Sequence, residues 1–299
     1  GLSAGRLESM HIGGVAGRWE FLLTGEPLRQ VSIAESLAAP GEVVLAPPAH
    51  ASAKDLLNCR PLADGFWRLD KLASDEAAPA AVRASADEPR DVGQAAVSAY
   101  VPQAVLHGFE AGQMDWLAEL RQVTVLFMNL GGLEYATPGA LDRLQGAVQT
   151  TQTVLQEYEG SLRQVVVDDK GTVLIAVFGL PPNAHENDAA RGVLAGLAMR
   201  ERIAALGLRA AIGMTSGRAF CGPIGNDRRR EYAVVGDVVN LAARLMSAAH
   251  AVEGSVLCDR PTEQEVRAAR SGTGQRLIFE QLPPISVKGK DEPVAVCQP

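Results

Sequence analysis

No run of apolar residues in this chain approaches the roughly 20 that a membrane-crossing helix needs, and its first residues do not read as a secretory signal. A membrane partner is therefore not expected. Cysteine is scarce: Cys59, Cys221, Cys258 and Cys297 lie far apart with no CxxC spacing. That argues against a disulfide framework or a zinc site and points to a reducing cytoplasm. His11, His50, His107, His185 and His250 are scattered likewise and read as surface or core residues rather than ligands. Positive charge is in deficit, with 28 Lys and Arg against 35 Asp and Glu. No nucleic-acid partner is expected from such a balance. Aromatic residues make up only 5% of the chain, so the core should be built from Ala, Val and Leu.

What is present suits a globular protein of about two domains. The chain opens on Gly1-Leu2-Ser3-Ala4-Gly5 rather than on Met, and reads as a piece of a longer protein. An internal repeat supports that reading. Gly1 to Arg6 echoes Gly213 to Arg218, and Trp19 to Gly25 echoes Glu231 to Gly236. A helical pattern follows each, over Leu28 to Ala39 and over Val238 to Ala249. Glu42 to Ala46 then matches Gly254 to Cys258, and the offset stays near 211 or 212 residues throughout. The first copy begins in mid-domain and closes near Phe66-Trp67-Arg68-Leu69, which alternates like an edge strand.

Residues 1–72 are accordingly the C-terminal part of a first domain. Residues 73–95, rich in Ala, Asp, Glu and Pro, read as an exposed linker. Residues 96–120 form a helical connector, and residues 121–299 a complete second domain. In that domain Val123 to Asn129 is an apolar strand, Leu141 to Tyr158 an amphipathic helix, and Leu162 to Asp168 and Val173 to Phe178 two strands. Asp188 to Leu206 is a second helix and Leu208 to Thr215 a further strand. The β-α-β-β-α-β order predicts an α+β, ferredoxin-like domain with helices on one sheet face. The run Val165-Val166-Val167 suits a strand buried on both faces or nearly so.

The most informative stretch is Tyr232-Ala233-Val234-Val235-Gly236-Asp237-Val238-Val239-Asn240-Leu241-Ala242-Ala243-Arg244, a strand, a Gly turn and a helix. Asn240 and Arg244, four apart, share one helical face. An amide beside a guanidinium near a helix N-terminus suits a phosphate-bearing ligand. Read alone, the pair could equally be a cap and a solvated arginine.

The stretch resembles the signature of class III nucleotidyl cyclases, the enzymes that make cyclic AMP or cyclic GMP. Val123 to Phe127, Asp169-Lys170-Gly171, Phe178-Gly179, Cys221-Gly222-Pro223-Ile224-Gly225 and Val287-Lys288-Gly289-Lys290 follow the same family in the same order. The resemblance is nearest to the bicarbonate-responsive soluble adenylyl cyclases, which carry two unlike cyclase domains in one chain. It implies that paired domains share a composite site converting ATP to cyclic AMP and pyrophosphate. Lys170 would bond the adenine ring, Asn240 would orient the ribose, Arg244 would stabilise the α-phosphate, and Lys288 would reach the β- or γ-phosphate. Val234 stands where many relatives have a base-reading Asp or Thr, so only its backbone could help. A donor at Lys170 suits the adenine N1 acceptor rather than guanine.

The metal positions depart from the family pattern. Asn129 and Thr172 occupy the two metal-Asp places, and neither is a good anchor for Mg²⁺ or Mn²⁺ without a carboxylate. Asp168 and Asp169 are nearby but off those places. The ions would then belong to the first domain, upstream of Gly1, and residues 1–299 alone would be inactive. In the first copy Arg29 and Ile33 stand at the Asn240-like and Arg244-like places, so the symmetry-related pocket would be degenerate. Bicarbonate or another small regulator could occupy it, although Ser32 replaces the anion-holding Arg of relatives, with Arg29 close by. The competing reading is a non-catalytic cyclase-like module that binds nucleotide or regulates a neighbour. An RNA-binding ferredoxin-like sheet is disfavoured by the acidic balance and the lack of aromatic RNP motifs.

Overall fold

A computed structural model describes residues 1–73, 93–102, 105–106, 118–135, 137–168, 171–226, 229–251, 255–269, 277–287, 290 and 292–299. They fall into two compact units, residues 1–11, 21–97 and 166–170 in one, and residues 12–20, 98–165 and 171–299 in the other. Most of the expected linker and of the helical connector lies outside the described residues.

Strands β1 (Glu8–Gly13) and β2 (Trp19–Thr24) make a two-stranded sheet. Helix α1 (Glu26–Leu37) follows, with Pro27 in its first turn, where a missing N–H costs nothing. Then come β3 (Val44–Leu45), the short helix α2 (Pro47–Ala53), β4 (Leu57–Pro61) and β5 (Trp67–Leu72). The order β3-β5-β4 corrects one expectation: β5 is the central strand, and Trp67 pairs with both Leu45 and Pro61. Side-chain alternation reports which face is covered; it does not count a strand's neighbours. Ala34, Val44, Ala46 and Phe66 form the small core beneath α1. The segment Gln94–Ser98 is a one-turn helix, α3.

The second copy runs β6 (Glu119–Gly131), α4 (Ala140–Glu157), β7 (Ser161–Asp168), β8 (Gly171–Phe178), α5 (Asp188–Ala205) and β9 (Arg209–Asn226). It continues with β10 (Arg229–Val235), α6 (Asp237–Ala251), β11 (Val256–Asp259), α7 (Arg260–Ala268), β12 (Glu280–Ile285) and β13 (Val294–Gln298). The sheet order is β12-β13-β11-β9-β6-β8-β7, with β10 also on β9. Its β9-β6-β8-β7 part is the ferredoxin-like arrangement that the βαββαβ order predicts.

Strand β6 explains the layering. Its run Val123 to Met128 is continuously apolar apart from Thr124, as expected of a strand covered on both sides. Val123, Val125 and Phe127 pack with Val238 and Ala242 of α6 and with Tyr232 and Val234 of β10. The alternate residues Thr124 and Leu126 lie under Gly192 and Gly196 of α5. Helices thus cover both faces, α5 one and α6 the other, where one covered face was expected. The extra layer comes from α6, which lies beyond the βαββαβ core. Strand β7 is a sheet edge, so of its three consecutive valines only Val165 is buried.

Candidate functional site

Helix α6 carries both residues of the predicted ribose–phosphate pair. It is seated by backbone contact rather than by side chains. A Cβ at Gly213 in β9 would collide with the Met246 amide nitrogen and the Ala242 carbonyl oxygen. Only glycine lets the helix approach this closely. Thr215, buried in β9, donates its hydroxyl to the Val238 carbonyl at 2.7 Å and fixes the first turn. Ala242 and Leu245 complete the buried face.

With that face anchored, the opposite one is set. Asn240 is exposed, one turn into the helix. Arg244, one turn further, is half-buried, and its Nη1 is buried without a hydrogen-bond partner. A buried, uncompensated guanidinium nitrogen is costly, and an anionic ligand would satisfy it. Val234 lies in the strand that feeds this helix, opposite Cys221, and its side chain packs against the apolar cluster around Tyr232.

Lys170 and Lys288 lie outside the described residues, as does Asp169. Two residues beyond Lys288, Lys290 forms an ion pair with Asp237, the first residue of α6. That contact holds Lys290 at the N-terminal end of α6, one turn from Asn240.

Asn129 and Thr172 sit on neighbouring strands, with Leu130 opposite Thr172. Both are buried, at 3% and 1% exposure. The Thr172 hydroxyl is hydrogen-bonded to the Tyr135 hydroxyl, and burial raises the Tyr135 phenol above its usual range. Among the described residues no group of three or more His, Cys, Asp and Glu side chains could hold a metal. A neutral amide and a hydroxyl already engaged by a tyrosine do not fit a divalent cation.

Sequence reasoning missed two features. Gln145, Gln149 and Gln152 lie on one face of α4 and grip the turn after β1. The Gly13 N–H donates to Gln145 Oε1 at 2.8 Å, while Gln145 Nε2 and Gln149 Nε2 donate to the Gly13 carbonyl at 2.9 and 3.1 Å. Gln152 accepts from the Val15 N–H at 3.2 Å and donates to the Arg18 carbonyl at 3.1 Å. The 4-and-3 spacing of Gln145, Gln149 and Gln152 along an amphipathic helix was the available signal.

The second is a partly buried charge cluster beside that turn. Glu20 lies 3.7 Å from Arg18. Burial pushes its carboxyl up to about 7, against the opposing pull of Arg18 and Arg163. Arg163 donates to the Tyr232 carbonyl and stands 5.2 Å from the centre of the Tyr232 ring. Burial lowers the Arg163 guanidinium. It also pushes the Tyr232 phenol up to about 12.

Among the described residues no helix is long and apolar enough to cross a membrane. Comparison with known proteins matches residues 118–296 to the adenylate and guanylate cyclase catalytic domain. The chain is 30% identical over 210 residues to adenylate cyclase type 10 of Rattus norvegicus, covering 67% of this chain and 12% of that relative. The chain thus spans about an eighth of that relative's length. Among solved structures it resembles the adenylyl cyclase CyaB from P. aeruginosa, with a TM-score of 0.52 and 24% identity over 60% of this chain and 94% of that one. It also resembles a bacterial light-regulated adenylyl cyclase, with a TM-score of 0.56 and 14% identity over 68% of this chain and 59% of that one. At these identities the structural likeness speaks for the fold. The sequence match, covering more than half of the chain, carries the assignment: the chain belongs to the class III adenylate and guanylate cyclases, close to the soluble adenylyl cyclases.

Proposed function

We propose that this chain supplies the substrate-orienting half of an adenylyl cyclase, acting on ATP at a site completed by a second cyclase domain. The observation that carries the reading is Arg244, whose buried Nη1 has no partner on the helix face it shares with Asn240. Cyclisation is an internal phosphoryl transfer in which the ribose 3′-oxygen attacks the α-phosphorus and pyrophosphate leaves. Its rate rests on positioning and charge neutralisation. Arg244 is the cation for the charge that gathers on the α-phosphate. Asn240 holds the ribose so that its 3′-oxygen faces the phosphorus. Lys170 donates to adenine N1, the Val234 main chain lies beside the base, and Lys288 reaches the β- or γ-phosphate. Mg²⁺ or Mn²⁺, when bound, activates the nucleophile and steadies the leaving group. Asn129, Thr172 and Tyr135 do not fit such an ion, and the reading assigns it to the earlier part of the first copy.

The Tyr135–Thr172 hydrogen bond at the second metal-Asp place favours a second reading, a non-catalytic nucleotide-binding module. One assay separates them. The longer protein, including the upstream part of the first domain, is supplied with ATP or GTP and Mg²⁺ or Mn²⁺, and cyclic AMP and cyclic GMP are measured. Cyclic AMP should form. Arg244→Ala should lower the rate on the order of 10²- to 10³-fold, and Lys170→Glu should weaken ATP use. A wild-type protein that binds ATP without turnover supports the second reading. Turnover indifferent to Arg244→Ala removes the first.

A further inference from the structure

We propose that Cys258 and Cys297 are an oxidisable dithiol, a site at which a hydroperoxide closes a disulfide between strands β11 and β13. The two residues are 39 apart in sequence and face each other directly in the antiparallel pairing of those strands. Their sulfurs lie 3.3 Å apart, and each also faces the other residue's carbonyl oxygen at 3.5 Å. A disulfide needs about 2.05 Å between sulfurs and a Cβ separation of about 3.8 Å, both within reach of directly paired strand residues. Both side chains are 0% exposed, and both are free thiols. Nothing in the proposed nucleotide chemistry uses them.

The chemistry balances. One thiol sulfur takes an oxygen from hydrogen peroxide to become a sulfenic acid, releasing water. The second thiol then displaces that hydroxyl as a second water and forms the S–S bond. The two thiols lose two protons and two electrons in all, and the peroxide gains them. Hydrogen bonding to Cys297 and burial push the Cys258 thiol far above its ordinary value. The pair is therefore slow to react while β13 stays in the sheet. Oxidation follows a local opening of β13, and closure then fastens that strand to β11. Cys59 is partly exposed, and Cys221 is buried elsewhere in the sheet, on β9. Among the described residues, then, the crosslink has a single geometrically matched partner pair.

The test uses the chain of residues 1–299 carrying Cys59→Ser, incubated under native conditions with hydrogen peroxide and then mapped by mass spectrometry without reduction. The expected product is a Cys258–Cys297 crosslink with a mass loss of two hydrogens, reversed by a dithiol reductant. It should come with a rise in Tm on the order of 5–10 °C. Cys297→Ala should abolish both changes; if that variant does not fold, the peptide map of the parent chain decides alone. Sulfinic or sulfonic acid at either residue without a crosslink, pairing with Cys221, or a crosslink forming only in denaturant would each overturn the proposal.

Discussion

Helices α1 and α6 occupy equivalent places in the two copies, each entered from a strand through a glycine and each followed by a short buried strand. Their seats are the same. A Cβ at Gly1 would collide with the Val31 carbonyl and the Glu35 amide, just as one at Gly213 would collide with the Ala242 carbonyl and the Met246 amide. Their exposed faces are not. Arg29 of α1 is already neutralised by Glu26 on its own helix, with Nε 3.0 Å from the carboxylate, and Ile33 packs towards the small core. Arg244 of α6 retains an unpartnered buried nitrogen. The two helices share the kind of backbone contact that positions them and differ in the charge they present. Arg244 has a guanidinium nitrogen available to a ligand, whereas Arg29 is held in a surface pair of little energetic weight.

The comparison can be broken at the shared seat first. Gly213→Ala drives a methyl into the α6 backbone, so it should destabilise the chain by roughly 3 kcal/mol or more, read as a lower urea midpoint. An unchanged midpoint would mean that α6 does not depend on this contact.

A smaller effect separates Glu20 from its counterpart Tyr232. The Glu20 carboxyl lies near 7 in the folded chain, above its ordinary 4.5. A raised folded value means stability that is present below about pH 4.5 and is lost as the pH climbs through about 7. Glu20→Gln should therefore gain on the parent chain by roughly 2–3 kcal/mol between those limits. Parallel stability curves across that range would show that Glu20 is not held in a desolvated site.

The smallest effect belongs to the glutamine grip. Gln145→Ala should cost about 1–2 kcal/mol and speed amide exchange at Gly13. Exchange at Gly13 as slow as in the parent would place the anchor of this turn elsewhere.

Much of this was legible in the sequence where pattern and local chemistry agree. Helix α4 runs Ala140–Glu157 against an expected Leu141 to Tyr158, and α5 runs Asp188–Ala205 against Asp188 to Leu206. Strand β9 was not. It was expected to stop at Thr215, yet it continues to Asn226 through Gly217, Gly222, Pro223 and Gly225. Those residues are turn formers by local preference, but pairing with β6 on one side and β10 on the other overrides them. Of the site, Asn240 and Arg244 were readable because helical spacing puts them on one face. The Tyr135–Thr172 contact and the Cys258–Cys297 pairing were not, since each joins residues far apart in sequence whose meeting only strand register determines.

The most direct measurement compares the two helices in one preparation. With this chain joined to a second cyclase domain that completes the proposed site, cyclic AMP production at saturating ATP is measured for Arg244→Ala and for Arg29→Ala. The account predicts a loss on the order of 10²- to 10³-fold for the first and a change within about twofold for the second, whose charge is already paired at the surface. Equal losses, or a larger loss from Arg29→Ala, would contradict it.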